Sequence, residues 1–358
     1  MASASVSVEL GFLEKRTPWK LQSKFFPSKF GGTPAWLRLN NLPNRSDILC
    51  KTCNKPLSFI LQVYAPIQDI ESAFHRTLFL FACVNGKCNP RNNNTNFVVF
   101  RNQLPRKNEI YSFEPPVYNE KLSLDPSASK YQPLCAICGC AASLKCSKCS
   151  EVDYCCEDHQ DLDWKWNHKN VCGKESSECG TKKKNMVNKF LLPEYELCIE
   201  TEELPSTTPE KSDTDKMEEY RQFMKSVKAP KEMQDMPLDD LDIIMKENDK
   251  AFNKFQKRIK LEPEQVLRYQ REETPLWISA EHVPSAEDIP NCSCGAKRIF
   301  EFQIMPQLLS YISLDGNEDT VDWGTLAVYT CSKSCEQGIE SYAREFIWKQ
   351  DVSDNQQQ

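Results

Sequence analysis

Residues 135–172 read CAICGCAASLKCSKCSEVDYCCEDHQDLDWKWNHKNVC, and this stretch holds four closely spaced pairs of cysteine or histidine. Zn²⁺ in a structural site takes four such ligands in a tetrahedron, so two pairs make one site and four pairs make two. The pairs follow one another too closely to form separate lobes, which predicts an interleaved arrangement. One ion is expected on Cys135, Cys138, Cys155 and His159, and the other on Cys146, Cys149, His168 and Cys172.

The stretch resembles a MYND-type zinc finger, with Tyr154 before its fifth ligand and a closing series of Gln160, Trp164, His168 and Cys172. His159 stands where such fingers usually have cysteine, and histidine is an equivalent ligand. A module this small buries too little apolar surface to fold alone. Metal binding would therefore supply its folding energy, an apparent value of about 10–16 kcal/mol for a structural zinc. The alternative is a set of ordinary buried cysteines, which is our interpretation only for Cys140 and Cys156, since they lie off the ligand spacing.

Composition limits the classes of function. The chain has 358 residues, which predicts two or three domains, and a net charge of −6. Direct nucleic-acid binding is a poor expectation, because phosphate contacts need clustered lysine and arginine, and a basic protein partner fits better. The N-terminal residues lack the features of a signal peptide and no apolar run approaches transmembrane length, so we expect an intracellular chain without a membrane partner. Eighteen cysteines should stay reduced there, and their paired spacing indicates metal ligands.

The sequences on the two sides of the finger resemble each other. Residues 33–37 (TPAWL) match residues 274–278 (TPLWI), and residues 53–63 then align without a gap with residues 294–304 at the same distance. Further matches join LFLFAC to LAVYTC, at residues 78–83 and 326–331. This predicts an internal duplication of two β-rich units that pack on each other, since one unit alone would bury too little surface.

Each of these halves also carries four cysteines in two pairs, spaced as in a zinc ribbon. The first set is Cys50, Cys53, Cys83 and Cys88, and the second is Cys292, Cys294, Cys331 and Cys335. They predict one further zinc ion in each half. The alternative is that these are small buried residues at strand ends.

The expected fold class is α+β and mainly β: a duplicated β-rich, zinc-ribbon-like domain, split by an inserted MYND-type finger and an acidic linker with a helix. Apolar residues at helical spacing predict one helix over residues 235–260, and Pro263 is expected to start a second over residues 264–271. The predicted boundaries are 6–120 for the first half, 135–172 for the finger, 173–234 for the linker with a strand near 190–199, and 235–352 for the C-terminal helices and second half.

The linker is strongly acidic. Between Glu194 and Glu218 there are nine acidic residues and two lysines. Residues 201–216 are therefore predicted to be disordered. They form either a solvated linker or an acidic arm that shields a basic partner.

The sequence gives little sign of an enzyme. Of four histidines, His159 and His168 are assigned to zinc, while His75 beside a strand and His282 in a loop are interpreted as structural. We find no phosphate-binding glycine loop and no SET-type methyltransferase sequence. The predicted zinc sites are closed, with no open position for water. We therefore expect a protein without catalytic activity.

Beyond the finger, the chain resembles the programmed cell death protein 2 family over nearly its whole length. The resemblance is carried by the finger and by residues 8–12, 26–29, 31–32, 34–37, 56–59, 61–66, 99–108, 261–265, 289–290, 294–298, 305–309 and 322–324.

The resemblance implies a function. The paired halves are similar to a β-rich domain shared with a yeast ribosome-assembly factor. The family is similar to dedicated chaperones that hold a newly made small-subunit ribosomal protein and deliver it to the pre-ribosome, in cytoplasm and nucleus. It is also linked to cell death, stem-cell maintenance and transcriptional corepressor complexes. The alternative is therefore an adaptor, since MYND fingers bind proline-rich peptides beside a glutamine and a tryptophan, here Gln160 and Trp164.

Overall fold

The computed structural model of the chain describes residues 7–120, 126–173, 191–203, 247–312 and 320–352. Its strands are β1 (Glu9–Glu14), β2 (Lys29–Phe30), β3 (Ser58–Tyr64), β4 (His75–Ala82), β5 (Phe97–Leu104), β6 (Leu144–Lys145), β7 (Asp153–Tyr154), β8 (Tyr195–Thr201), β9 (Leu267–Tyr269), β10 (Arg298–Ile304), β11 (Thr325–Cys331) and β12 (Ala343–Gln350). Its α-helices are α1 (Glu157–Asp163), α2 (Lys169–Val171), α3 (Glu247–Ile259), α4 (Leu309–Ile312) and α5 (Gln337–Glu340). A π-helical turn, Trp164–His168, joins α1 to α2. Short 3₁₀ turns lie at Pro18–Leu21, Ser23–Phe25, Arg45–Ile48, Glu71–Ala73, Gly86–Cys88, Ala128–Lys130 and Pro306–Leu308.

Ten of the strands close into one antiparallel barrel. Their order around it is β1-β8-β2-β3-β4-β5-β12-β11-β10-β9, and β9 pairs with β1 to complete the ring. The run β2 to β5 comes from the first half of the chain and the run β9 to β12 from the second, so β5 and β12 meet at one seam. The opposite seam is filled by β1 and β8. The prediction of a mainly β chain is thus correct, and the two halves share one barrel.

Side chains fill the barrel interior. Alternate residues of β4, namely Leu78, Leu80 and Ala82, point into the same apolar core as Phe302 and Trp323 from the second half. The intervening residues Phe79 and Phe81 point outwards, where a layer of loops covers them. A closed barrel filled in this way has a packed core and no ligand channel.

The two halves are built alike in detail. Strand β3 has a bulge between Phe59 and Leu61, and β10 has one between Phe300 and Phe302, at the aligned positions. The next aligned pair, Gln62 and Gln303, point outwards and bracket the backbone of one loop residue each. The Gln62 side chain accepts from the N–H of Ala35 at 2.8 Å and donates to its carbonyl at 3.2 Å. The Gln303 side chain makes the same two bonds to Leu276, the residue aligned with Ala35.

Buried ion pairs cross between the halves. Arg76 on β4 pairs with Glu301 on β10, and both side chains are fully buried although three strands separate β4 from β10 around the barrel. Arg101 on β5 pairs with Glu345 on β12 at 2.7 Å, and Arg298 on β10 reaches the second oxygen of the same carboxylate at 2.9 Å. One end of the barrel interior is therefore charged and the other apolar.

The helical prediction for the C-terminal part is correct for α3 only. Residues 235–246 lie outside the described residues, as do residues 204–234 and so most of the acidic linker. The predicted second helix over residues 264–271 is wrong. Residues Leu267–Tyr269 form β9, because their backbone groups pair with β1 on one side and β10 on the other. The strand predicted near 190–199 is β8, Tyr195–Thr201. Within the described part of the chain, no helix has the length and apolar character needed to cross a membrane.

Candidate metal centres

The structure brings the sixteen predicted ligands together in four groups of four. The groups are Cys135, Cys138, Cys155 and His159; Cys146, Cys149, His168 and Cys172; Cys50, Cys53, Cys83 and Cys88; and Cys292, Cys294, Cys331 and Cys335. Within each group, the ligand atoms all lie within 4.8 Å of one another. The interleaving predicted for the finger is the arrangement in the structure.

The distances within the groups fit zinc. Sulphur atoms lie 3.7 Å apart in Cys138–Cys155, 3.8 Å in Cys146–Cys172, 4.0 Å in Cys53–Cys83, 3.7 Å in Cys292–Cys335 and 3.6 Å in Cys294–Cys331. Tetrahedral zinc with Zn–S bonds of about 2.3 Å places its sulphurs about 3.8 Å apart. A disulfide would need about 2.0 Å, and every cysteine in the described part of the chain is a free thiol. The histidines fit equally well, since His168 Nε2 lies 3.4 Å from Cys149 Sγ and His159 Nδ1 lies 3.5 Å from Cys135 Sγ.

A common backbone turn presents one pair of cysteines in every group. The residue after the second cysteine of the pair has a left-handed backbone in all four turns, with φ of 56°, 69°, 58° and 83° at Asn54, Gly139, Ser150 and Gly295. That residue donates its N–H to the carbonyl of the first cysteine, at 2.9 Å in the first three turns and 2.8 Å in the last. The turn folds both sulphurs towards one point. It forms even at Cys292 and Cys294, where only one residue separates the cysteines, so the shorter spacing does not prevent a four-ligand group.

The same turns aim backbone N–H groups at sulphur. The N–H groups of Cys149, first, and Lys148 lower the pKa of the Cys146 thiol to about 6. The N–H of Ala296 is the main cause that lowers the pKa of Cys294 to about 7. A thiolate is the form that binds zinc, so these N–H groups favour the ligand form of both cysteines.

Helix geometry holds the two histidines of the finger. His159 is on α1 and His168 ends the π-helical turn, so one continuous helical segment carries a ligand for each site. Buried Tyr154 donates its hydroxyl to Asp163 at 2.8 Å, and Asn167 donates to the same carboxylate at 3.3 Å. These bonds fix the segment against β7, the strand that directly precedes Cys155.

The finger is docked on the first half of the barrel. The indole N–H of Trp36 donates to the carbonyl of Gly139 at 2.9 Å, and buried Cys140 packs into the apolar layer outside the barrel. A side chain at Gly139 would meet Thr33, whose Cβ would lie 2.8 Å from the new Cβ. Residues 33–37 are recognisable in the sequence as part of a repeat, but no sequence feature indicates that they contact the finger. The second copy, at Trp277, packs on Tyr329 and Phe300 instead.

The remaining two groups sit at the rim of the barrel. Cys83 directly follows β4 and Cys331 ends β11, so a strand end supplies a ligand in each half. In the second half, Arg101 donates to the Cys335 carbonyl at 3.1 Å and lies 3.4 Å from its sulphur. Because Arg101 also pairs with Glu345, this group is connected to the buried ion pairs between the halves. That connection spans 234 residues of sequence, and spacing alone could not have revealed it.

Comparisons with known proteins cover almost the whole chain. The family model for the programmed cell death protein 2 N-terminal domain matches residues 7–118, that for its C-terminal putative domain matches residues 249–351, and that for the MYND finger matches residues 135–172. The chain is 46% identical to programmed cell death protein 2 of Rattus norvegicus and 45% identical to that of Mus musculus, over 99% of each chain. It is also 32% identical over 114 residues, 28% of each chain, to the Probable 20S rRNA accumulation protein 4 of Schizosaccharomyces pombe. No solved structure matches. With both of its domains and its finger matched, and with full-length relatives of this identity, the chain belongs to the programmed cell death protein 2 family.

Proposed function

We propose that this chain is a dedicated chaperone for a newly made, basic small-subunit ribosomal protein and supports its assembly into the 40S pre-ribosome. The observation that carries the proposal is the match to the Schizosaccharomyces pombe relative, whose name associates that protein with 20S rRNA. The net charge of −6 supports a basic client, because opposite charge steers association. The packed barrel interior leaves its surface and loops as the place where a client would bind.

The proposal assigns the chain no catalytic role. Each candidate zinc group is complete with four protein ligands, so a bound ion would have no open position for water or substrate. Zinc would supply folding energy and would fix the loops that cover the barrel. Cytoplasm and nucleus are the compartments that the role requires.

The test is capture of the tagged full-length chain from cells, with RNase treatment and mass spectrometry of the bound proteins. One small-subunit ribosomal protein, bound in equal amount without the rest of the subunit and released by salt, is the expected result. A matched variant lacking residues 204–216 tests whether the acidic stretch contributes, and should bind the client more weakly at physiological salt. Recovery of whole subunits, or of no ribosomal protein, would overturn the proposal.

We further propose four zinc ions per chain: two in the finger and one in each half. The repeat, the shared turns and the matched bulges support an internal duplication of a zinc-ribbon-like unit. Elemental analysis should give four ions for the wild type and three for either Cys53→Ser or Cys294→Ser. Cys198→Ser is the matched control, because Cys198 belongs to none of the four groups. A count of two, unchanged in Cys53→Ser, would restrict zinc to the finger.

A second candidate function is an adaptor that binds proline-rich peptides through the finger, in corepressor complexes or cell-death regulation. One observation favours it: Trp166, which is 49% exposed, lies in the same helical segment as Gln160 and Trp164. The matched variants Trp164→Ala and Trp166→Ala separate the two roles. An adaptor would lose proline-rich partners in Trp164→Ala, whereas a chaperone that works through the barrel would keep its client in both.

A further inference from the structure

A groove of about 830 Å³ lies between helix α3 and the end of the barrel formed by β9 and β10. Every charged residue in the described part of its lining is a cation: Lys250, Lys254, Lys257, Arg258 and Arg268. Its floor is apolar and includes Leu276 and Phe300. In a chain with a net charge of −6, a groove of this sign differs from the average surface.

Two of the cations already have a partner inside the protein. Glu202, directly after β8, pairs with Arg268 at 2.9 Å and with Arg258 at 3.3 Å. The lysines differ: Lys254 and Lys257 are exposed, and neither makes an ion pair with any side chain that the structure describes. Among the residues that the structure describes, the groove therefore presents positive charge that no acidic side chain compensates, above an apolar floor.

The position of the lysines follows from how α3 is anchored. Phe255 is buried against Ile278 and Met305, and Phe252 and Ile259 pack beside it, so one face of the helix is fixed to the barrel. Lys250, Lys254 and Lys257, at i, i+4 and i+7, share another face and span about 10 Å along the helix axis. Like charges at this spacing repel each other and weaken the helix, so the arrangement costs stability in the free protein. A ligand with negative charge would relieve that cost.

We propose that this groove binds an acidic peptide segment of a partner protein, in which carboxylate side chains alternate with apolar ones. The lysines would pair with the carboxylates, and Leu276 and Leu261 would contact the apolar side chains. The lining does not suit single-stranded nucleic acid, which binds through exposed aromatic faces on which bases stack. Phe300, the one aromatic residue among the described lining residues, is only 5% exposed.

The proposal is independent of the proposed chaperone function, because its ligand has the opposite charge from the basic client. The two sites would let the chain contact a basic client and an acidic partner at the same time. If one of the two proposals fails, the other is unaffected, and both can be tested in the same protein preparation.

The test uses the full-length chain and a fluorescein-labelled peptide of alternating glutamate and leucine, followed by fluorescence anisotropy at low and high salt. Binding should be saturable and weaken as salt rises. The variant Lys254→Glu/Lys257→Glu should bind about tenfold more weakly, because two attractions become repulsions. The matched control is Lys260→Glu, since Lys260 is also exposed and lies just after the same helix but does not line the groove. It should bind within about twofold of the wild type.

Four further controls test this interpretation. Lys254→Gln/Lys257→Gln, which keeps helix propensity and removes only charge, should weaken binding in the same direction, and thermal melts should show both double variants folded. Equal loss in Lys260→Glu, or equal binding of a lysine–leucine peptide, would overturn the proposal. An oligouridylate that binds more tightly than the acidic peptide, and is lost in the same double variant, would reassign the groove to nucleic acid. Tighter peptide binding after deletion of residues 204–234 would reassign it to the chain's own acidic stretch.

Discussion

The buried pair between Arg76 and Glu301 is the strongest test of how the two halves are held together. Both side chains are fully buried, and the guanidinium makes two parallel bonds to the carboxylate, one of them 2.7 Å long. Thr330 and Tyr269 also donate to Glu301. Glu301→Gln removes the negative charge with little change of shape, and leaves the positive charge of Arg76 buried without its counter-charge.

The expected cost is large. Removing one partner of a buried ion pair costs about 3–5 kcal/mol, because the remaining charge stays desolvated and uncompensated. With an unfolding entropy of about 2.1 cal/mol/K per residue, each kcal/mol shifts the melting temperature of a chain of this size by roughly 1–2 °C. Glu301→Gln should therefore melt roughly 3–10 °C below the wild type. The matched control is Glu272→Gln, because Glu272 pairs with Arg271 at the surface, where an ion pair is worth about 1 kcal/mol at most.

The assay is a double-mutant cycle measured by chemical denaturation. Arg76→Met alone should also destabilise the fold, but Arg76→Met combined with Glu301→Gln should cost less than the sum of the single changes, because no buried charge is then left alone. The coupling should lie in the range of about 0.5–3 kcal/mol that is found for residues in contact. A double variant whose cost equals the sum of the single costs would refute the claim that this pair joins the halves.

Three further predictions concern single side chains. Burial, with a smaller effect of nearby Arg106, lowers the pKa of His75 to about 4. The free energy of unfolding should therefore fall as pH drops from about 6.5 towards 4. In denaturant titrations, His75→Phe should show a smaller fall over that pH range. Gln62→Leu and Gln303→Leu should each cost a similar free energy of unfolding, about 1–3 kcal/mol for each orphaned backbone group, and clearly unequal costs would contradict the equivalence of the halves. Gly139→Ala should loosen the finger from the barrel through its positive φ and the contact with Thr33, measured as faster proteolysis between residues 126 and 134 with zinc content unchanged.

The four groups of candidate ligands could be predicted because ligand spacing is a local property. Two cysteines separated by two residues can reach one ion by a single turn of backbone, and the choice between pairs then follows from the short distances along the chain. The repeat was equally visible, because aligned residues such as Trp36 and Trp277 keep their distance from the cysteines that follow. Both features can be recognised in the sequence without knowledge of the rest of the fold.

The failures have a different cause. Pro263 is a helix-start signal for residues 264–271. Leu267–Tyr269 nevertheless form a strand, because β1 and β10 offer backbone partners on both sides. The ion pair of Arg76 with Glu301 joins residues that lie 225 positions apart in the sequence. Neither partner lies near a motif, and a charged residue in an apolar strand would ordinarily be assigned to the surface. The basic face of α3 was missed for a similar reason, since lysines on a helix are usually solvated.

The closed barrel makes the two segments that the family models match into one physical unit. The family models divide the chain at residues 7–118 and 249–351, which suggests two domains. In the structure, β2 of the first segment pairs with β8, which lies in neither, and β5 pairs with β12 of the second. The first segment alone would expose the unpaired edges of β2 and β5 and the core side chains of its strands, a condition that favours aggregation. The barrel can close only when β8 to β12, which follow the finger in the chain, pair with the strands that precede it. The finger is therefore an insertion within one folding unit, and the two halves form a single body.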